Sequence, residues 1–187
     1  MVGADGGAVA TNGITEAELN IKIALKVQEL LEQSGATVIL TRSDENIIYE
    51  VDSKTLRQKK VDDTKKRVKL GNESSADIFV SIHLNKITET QYSGWQTFYN
   101  LKNDNGKLLA EKIQNSLNET MNKTSTKLPK SINNIYIVDN VTIPLCLVEC
   151  GFLSNPEELS LLVQDDYQDK LAFGIYTGIN DYFDTEI

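Results

Sequence analysis

The chain has 187 residues, 40% of them apolar and 25% charged, with a formal net charge of −8. That length suits one domain around a single core, and the acidic balance argues against nucleic acid as a partner, because phosphate binding needs a basic surface. No apolar run approaches the roughly 18 residues of a membrane span.

The first residues, Met1-Val2-Gly3-Ala4-Asp5-Gly6-Gly7, read as the inside of a loop rather than a signal peptide or membrane anchor. Further chain is therefore expected ahead of them. Asp5-Gly6-Gly7-Ala8 lacks both the dinucleotide fingerprint and the P-loop lysine, so it reads as a tight turn. Thr15 to about Gln33 reads as a helix. Thr15 and Glu18 form a capping box, Ile14 and Leu19 have staple spacing, and Leu19, Ile23, Val27, Leu30 and Leu31 mark one apolar stripe ending at Gly35. Residues 36–41 (ATVILT) read as a strand covered on both faces.

A second helix is predicted from about Thr55 to Ser74, with Val61, Val68 and Leu70 as its apolar points. Strands follow at 77–83 (DIFVSIH) and 94–99, the latter rich in aromatic and β-forming residues. A helix is expected from Gly106 to about Met121, then strands at 135–138 and 144–150. Asn155 caps a further helix with Pro156 at its first position. The last helix runs from about Asp166 to Tyr182, with Leu171, Ile175 and Ile179 inward. Alternating helices and buried strands imply an α/β fold: a mostly parallel twisted sheet with helices on both faces, in a single domain. Cys146 and Cys150 lie four apart on one strand, roughly 13 Å at strand rise, too far to bridge. Two buried free thiols are expected.

Sites in open α/β sheets gather at the carboxyl ends of strands. His83, the only histidine, ends one of them and shares a face with Phe79 and Ser81. Imidazole there suits a metal, although a hydrogen-bonded strand end is the commoner reason for such a histidine. Glu149 sits inside the apolar run Pro144–Phe152. Burial would raise its pKa and suit a general base or acid; the alternative is a glutamate whose strand has already left the sheet. Glu16 stands at the first position of the first helix, where the helix dipole alone favours a carboxylate.

Taken in order with their surroundings, these residues resemble the zinc-dependent N-acetylmuramoyl-L-alanine amidases that cleave peptidoglycan. Asp5-Gly6-Gly7-Ala8-Val9 resembles the end of that family's Gly-rich loop, Gly13-Ile14-Thr15-Glu16 its Gly-x-x-Glu segment, and Asn20 follows at the usual place. Leu40-Thr41-Arg42, Arg67, Asn72 and Ser81-Ile82-His83-Leu84-Asn85 continue the match, and Val148–Asn155 (VECGFLSN) is similar to the family's most specific signature. Ile47–Lys60, Trp95–Tyr99 and Ile135–Ile137 further resemble the branch that acts on spore cortex in spore-forming bacteria, where its product leads to muramic δ-lactam.

The resemblance implies Zn2+ held by Glu16, His83 and a histidine in the Gly-rich loop, with Glu149 catalytic and Ser81 and Asn85 in supporting or substrate contacts. It implies peptidoglycan as substrate, an exported site of action at the cell wall or in the forespore intermembrane space, and an activating protein partner or a dimer. The position matching the loop histidine is Met1. The expectation is therefore a catalytic domain over 1–187 that lacks the family's first strand and first zinc histidine, with an incomplete zinc site. Three other readings stay open: a domain of the same fold that binds glycan without cutting it, a vegetative or phage autolysin, and a cytosolic zinc peptidase.

Overall fold

The computed structural model describes residues 7–42, 55–122 and 127–185. Met1 and residues 47–54 lie outside them. The first described element is helix α1 (Glu16–Gln33). Thr15 Oγ1 accepts the Glu18 N–H at 3.2 Å and Glu18 Oε2 accepts the Thr15 N–H at 2.7 Å, closing the capping box read from the sequence. Helix α2 (Leu56–Glu73) opens with a second such box, Thr55 with Gln58. Strands β1 (Phe79–Asn85) and β2 (Gln96–Tyr99) follow, then helix α3 (Asp104–Thr120), the two-residue strand β3 (Lys130–Ser131) and the short helix α4 (Tyr136–Asn140). Strand β4 (Leu145–Phe152), helix α5 (Pro156–Leu162) and helix α6 (Asp165–Phe183) complete the order. Asn155 caps α5 by accepting the Glu158 N–H at 3.0 Å, with Pro156 in the first turn.

The sheet runs β1-β4-β2-β3. β1 with β4 and β2 with β3 are parallel; β4 with β2 is antiparallel. The architecture is a single α/β domain on a mixed sheet, with helices on both faces. Alternation along β4 divides the core. Cys146, Val148 and Cys150 face α1, α3 and α6, while Leu145 and Leu147 face α2 and α4 with Phe79 and Val68. Cys146 and Cys150 are both buried and free.

Four readings are corrected. Residues 36–41 form no strand: no described strand lies beside them, and Ile39 is 52% exposed. Residues 135–138 belong to α4, because a short apolar run carries too little periodicity to separate strand from helix. The turn closes locally instead, Asp139 N–H reaching Ile135 O at 2.9 Å and the Asn140 amide reaching Tyr136 O at 2.8 Å. Of the three apolar points assigned to α2, only Val68 is buried; Val61 and Leu70 are exposed. β1 also extends beyond His83 to Asn85.

Candidate active site

Glu16, His83 and Glu149 come together at the carboxyl ends of β1 and β4. Parallel pairing sets His83 directly beside Glu149 in register. Glu16 arrives from the first turn of α1, and its Oε1 stands 2.9 Å from His83 Nδ1. Three further donors fix that carboxylate: Ala8 N–H to Oε2 at 3.1 Å, the Asn20 amide to Oε1 at 3.2 Å, and Leu84 N–H to Oε1 at 3.5 Å. Gly7 takes φ 68°, and a Cβ there would lie 2.5 Å from Glu16 Oε2, so the turn that presents the Ala8 amide needs glycine. On the far side of the ring, Ser81 Oγ lies 3.0 Å from His83 Nε2. Asn85 stands two residues beyond His83, past a register shift, and its carbonyl accepts the Leu153 N–H at 2.8 Å.

The two carboxylates differ in electrostatics. Burial works to raise the pKa of Glu16, but the hydrogen bond and charge of His83, with the Ala8 and Asn20 bonds, outweigh it and leave the group below its ordinary value. Glu149 has no such donors. Burial pushes it up to about 7, the His83 ring opposes the shift and the Glu16 charge adds to it. Its Oε2 is buried without a hydrogen-bond partner. One carboxyl is thus held ionised while its neighbour titrates near neutrality, the separation that acid–base chemistry uses.

Glu16 and His83 also suit a metal. Carboxylate oxygen and imidazole nitrogen are zinc donors, and their 2.9 Å separation is near the roughly 3.3 Å edge of a tetrahedral zinc site. Two donors do not complete such a site, and among the described residues no group of three or more His, Cys, Asp or Glu side chains is arranged to hold a metal.

The model of the N-acetylmuramoyl-L-alanine amidase family matches residues 2–181. The chain belongs to that family. It is 41% identical to the germination-specific N-acetylmuramoyl-L-alanine amidase of Bacillus subtilis, over 97% of this chain and 76% of that one. The Clostridioides difficile CwlD amidase, solved in complex with the GerS lipoprotein, superimposes with a TM-score of 0.93 at 40% identity, over 96% of this chain and 92% of that one. The catalytic domain of CwlV from Bacillus (Paenibacillus) polymyxa gives 0.81 at 30% identity, over 97% and 93%.

One buried carboxylate escaped the sequence reading. Glu158, the third residue of α5, is 5% exposed and accepts the N–H groups of Gly94 and Phe152. It ties the loop before β2 to the end of β4, three residues past Glu149. Its place three residues after the cap Asn155 was legible, but that signal speaks of a helix start, not of a buried brace.

Proposed function

We propose that this amidase hydrolyses the amide bond between N-acetylmuramic acid and L-alanine in the peptidoglycan of spore cortex, outside the cell membrane in the forespore intermembrane space, with Zn2+ held by Glu16 and His83. The observation that carries the reading is the convergence of those two donors on Glu149, a half-buried carboxylate whose Oε2 is buried without a partner and whose pKa is pushed up to about 7. A zinc ion there supplies Lewis acidity at the amide carbonyl.

The chain's own groups do the rest. Glu149, ionised at the start, takes a proton from the attacking water and returns it to the departing L-alanine amine, which leaves as free peptide. His83 is oriented by Ser81 at its outer nitrogen, and Glu16 is held ionised by Ala8 and Asn20, so neither donor needs to reorganise. Asn85, at the end of β1, stands where a substrate contact from the strand end would come. A protein partner that activates the enzyme, or a dimer, belongs to the same proposal; the Clostridioides difficile relative was solved in complex with a lipoprotein.

Cortex peptidoglycan incubated with the chain and excess zinc is expected to release stem peptides bearing a free L-alanine amine, read by mass spectrometry. Glu149→Gln is expected to lower that rate by about 10²- to 10⁴-fold while zinc uptake, by elemental analysis, stays unchanged. Loss of zinc in that variant would make Glu149 a ligand and sink its role as base. A specific observation keeps a second reading alive: two described donors hold zinc weakly, which suits a domain that binds glycan without cutting it. Glycan retention without peptide release, at saturating zinc, would establish that reading instead.

A further inference from the structure

Glu149 has a strand neighbour on each side, and the proposed reaction uses one of them. Parallel pairing sets His83 beside it from β1; antiparallel pairing sets Gln96 beside it from β2. Residues opposite one another in a ladder point to the same face, so His83, Glu149 and Gln96 form a row at intervals of about 4.8 Å. Phe98 follows Gln96 on that face and packs against the cluster around Leu147, which leaves Gln96 as the polar residue of β2 at the rim of the site.

The backbone under Gln96 is firmly held. Trp95 and Thr97 point to the opposite face and are buried. The Trp95 indole N–H donates to Asn118 Oδ1 at 2.8 Å, and Thr97 N–H donates to Gln114 Oε1 at 2.9 Å. The Gln96 side chain itself is half-buried and only partly used. Its Nε2 donates one hydrogen to Leu128 O at 3.0 Å, which fixes the orientation of the carboxamide. A carboxamide has two N–H donors and an acceptor oxygen. One N–H and Oε1 therefore remain without a partner among the described residues.

The row gives the substrate a direction. The proposed reaction, on which this inference rests, puts the carbonyl oxygen of the cleaved amide at the Glu16–His83 pair and its nitrogen at Glu149. The chain beyond that nitrogen continues away from His83, toward β2. Its next peptide group lies one residue farther on, about 3.8 Å per residue, close to the strand spacing that separates Gln96 from Glu149. A peptide group offers one acceptor and one donor, the complement of what Gln96 has left. We propose that Gln96 binds the leaving side of the substrate, its free Nε2–H donating to the carbonyl of L-alanine and its Oε1 accepting the N–H of the residue that follows. Gln96 thereby selects a stem of two or more residues over L-alanine alone. Because Leu128 O already holds the carboxamide, binding orders little that is not ordered beforehand.

The test measures binding to the chain in the presence of a metal chelator, which separates recognition from turnover. The probes are N-acetylmuramoyl-L-alanine methylamide, which carries the second N–H, and the corresponding methyl ester, which has oxygen in its place. Titration is followed by NMR of the backbone and glutamine side-chain amides. The methylamide is expected to bind about three- to tenfold more tightly than the ester, with the Gln96 side-chain signals shifting. Gln96→Ala, and Gln96→Leu, which keeps the bulk beside Leu128, are each expected to lower the methylamide to the affinity of the ester. A methylamide preference that survives both substitutions overturns the assignment. So does a loss that weakens both probes equally, which would make Gln96 a strut for the segment around Leu128. Peptide release from cortex with excess zinc is measured alongside. Release by a chain that shows no methylamide preference overturns the role of Gln96 alone; failure to bind either probe, together with no release, overturns the amidase reading as well.

Discussion

Glu149 is a carboxyl group whose surroundings favour its neutral form, and this has a measurable cost. Its folded-state pKa of about 7 lies above the ordinary 4.5. Between those values the folded chain binds more protons than the unfolded one, so the stability of the metal-free protein falls as pH rises through that window. Glu149→Gln removes the ionisation. The metal-free variant is expected to match its parent near pH 4 and to exceed it above pH 7, by up to roughly 3 kcal/mol. Urea midpoints at both pH values decide it; an equal offset at both would mean the effect is packing rather than charge. Ser81 offers a second residue-scale prediction. Ser81→Ala removes the oxygen 3.0 Å from His83 Nε2 while leaving the backbone of β1 untouched. Zinc affinity, read by competition with a chromophoric chelator, is expected to fall about 10- to 100-fold with the melting temperature nearly unchanged. Unaltered affinity would leave Ser81 no part in orienting the ring.

Helix α6 packs on α3 through a close approach that glycine permits. A Cβ at Gly178 would meet the Cα of Ile113 at 2.5 Å and the nitrogen of Ile113 at 2.9 Å. In an open helix interior, glycine to alanine stabilises by about 1 kcal/mol. Here the clash is with backbone, which side-chain rotation does not relieve, so Gly178→Ala is expected to destabilise by about 1–3 kcal/mol. Chemical denaturation checks the sign; stabilisation would mean the two helices separate at little cost. The same element scale shows what the sequence made legible. Helix starts carried local signals, Thr15 with Glu18 and Asn155 with Pro156, and the structure closes both caps. β3 is two residues long, too short to leave a pattern, and residues 135–140 were ambiguous because four apolar residues fit either period. Residues 36–41 have strand composition without strand pairing, since a ladder needs a neighbour that local sequence does not specify. Within the site, Glu16, His83 and Glu149 were singled out from helix and strand ends together with family resemblance. Their 2.9 Å and in-register relations, and the bracing by Glu158, are tertiary facts that no window of sequence contains.

At the scale of the whole molecule, the two faces of the sheet are anchored unequally. On one face α3 and α6 bury Leu109, Ile113, Leu117, Leu171 and Ile175 completely. On the other, α2 contributes Val68 as its buried apolar side chain among the described residues, and its partner α4 has five residues. Residues 36–42 bury none of their side chains fully and are held at Thr41 by Arg67, at 2.9 Å. Local opening follows buried apolar contact. Native-state hydrogen exchange at low urea is therefore expected to find α2 and residues 36–42 opening first, with β4, α3 and α6 exchanging only by global unfolding. A single opening free energy across all of them would mean the two faces are one cooperative unit. The site straddles this division: Glu149 rides on the most deeply anchored strand, whereas Arg67 and Leu70, which line the same cavity of about 1130 Å³, ride on the weakly anchored helix. A ligand that fills this cavity is therefore expected to raise the protection of α2 while leaving that of β4 as it was.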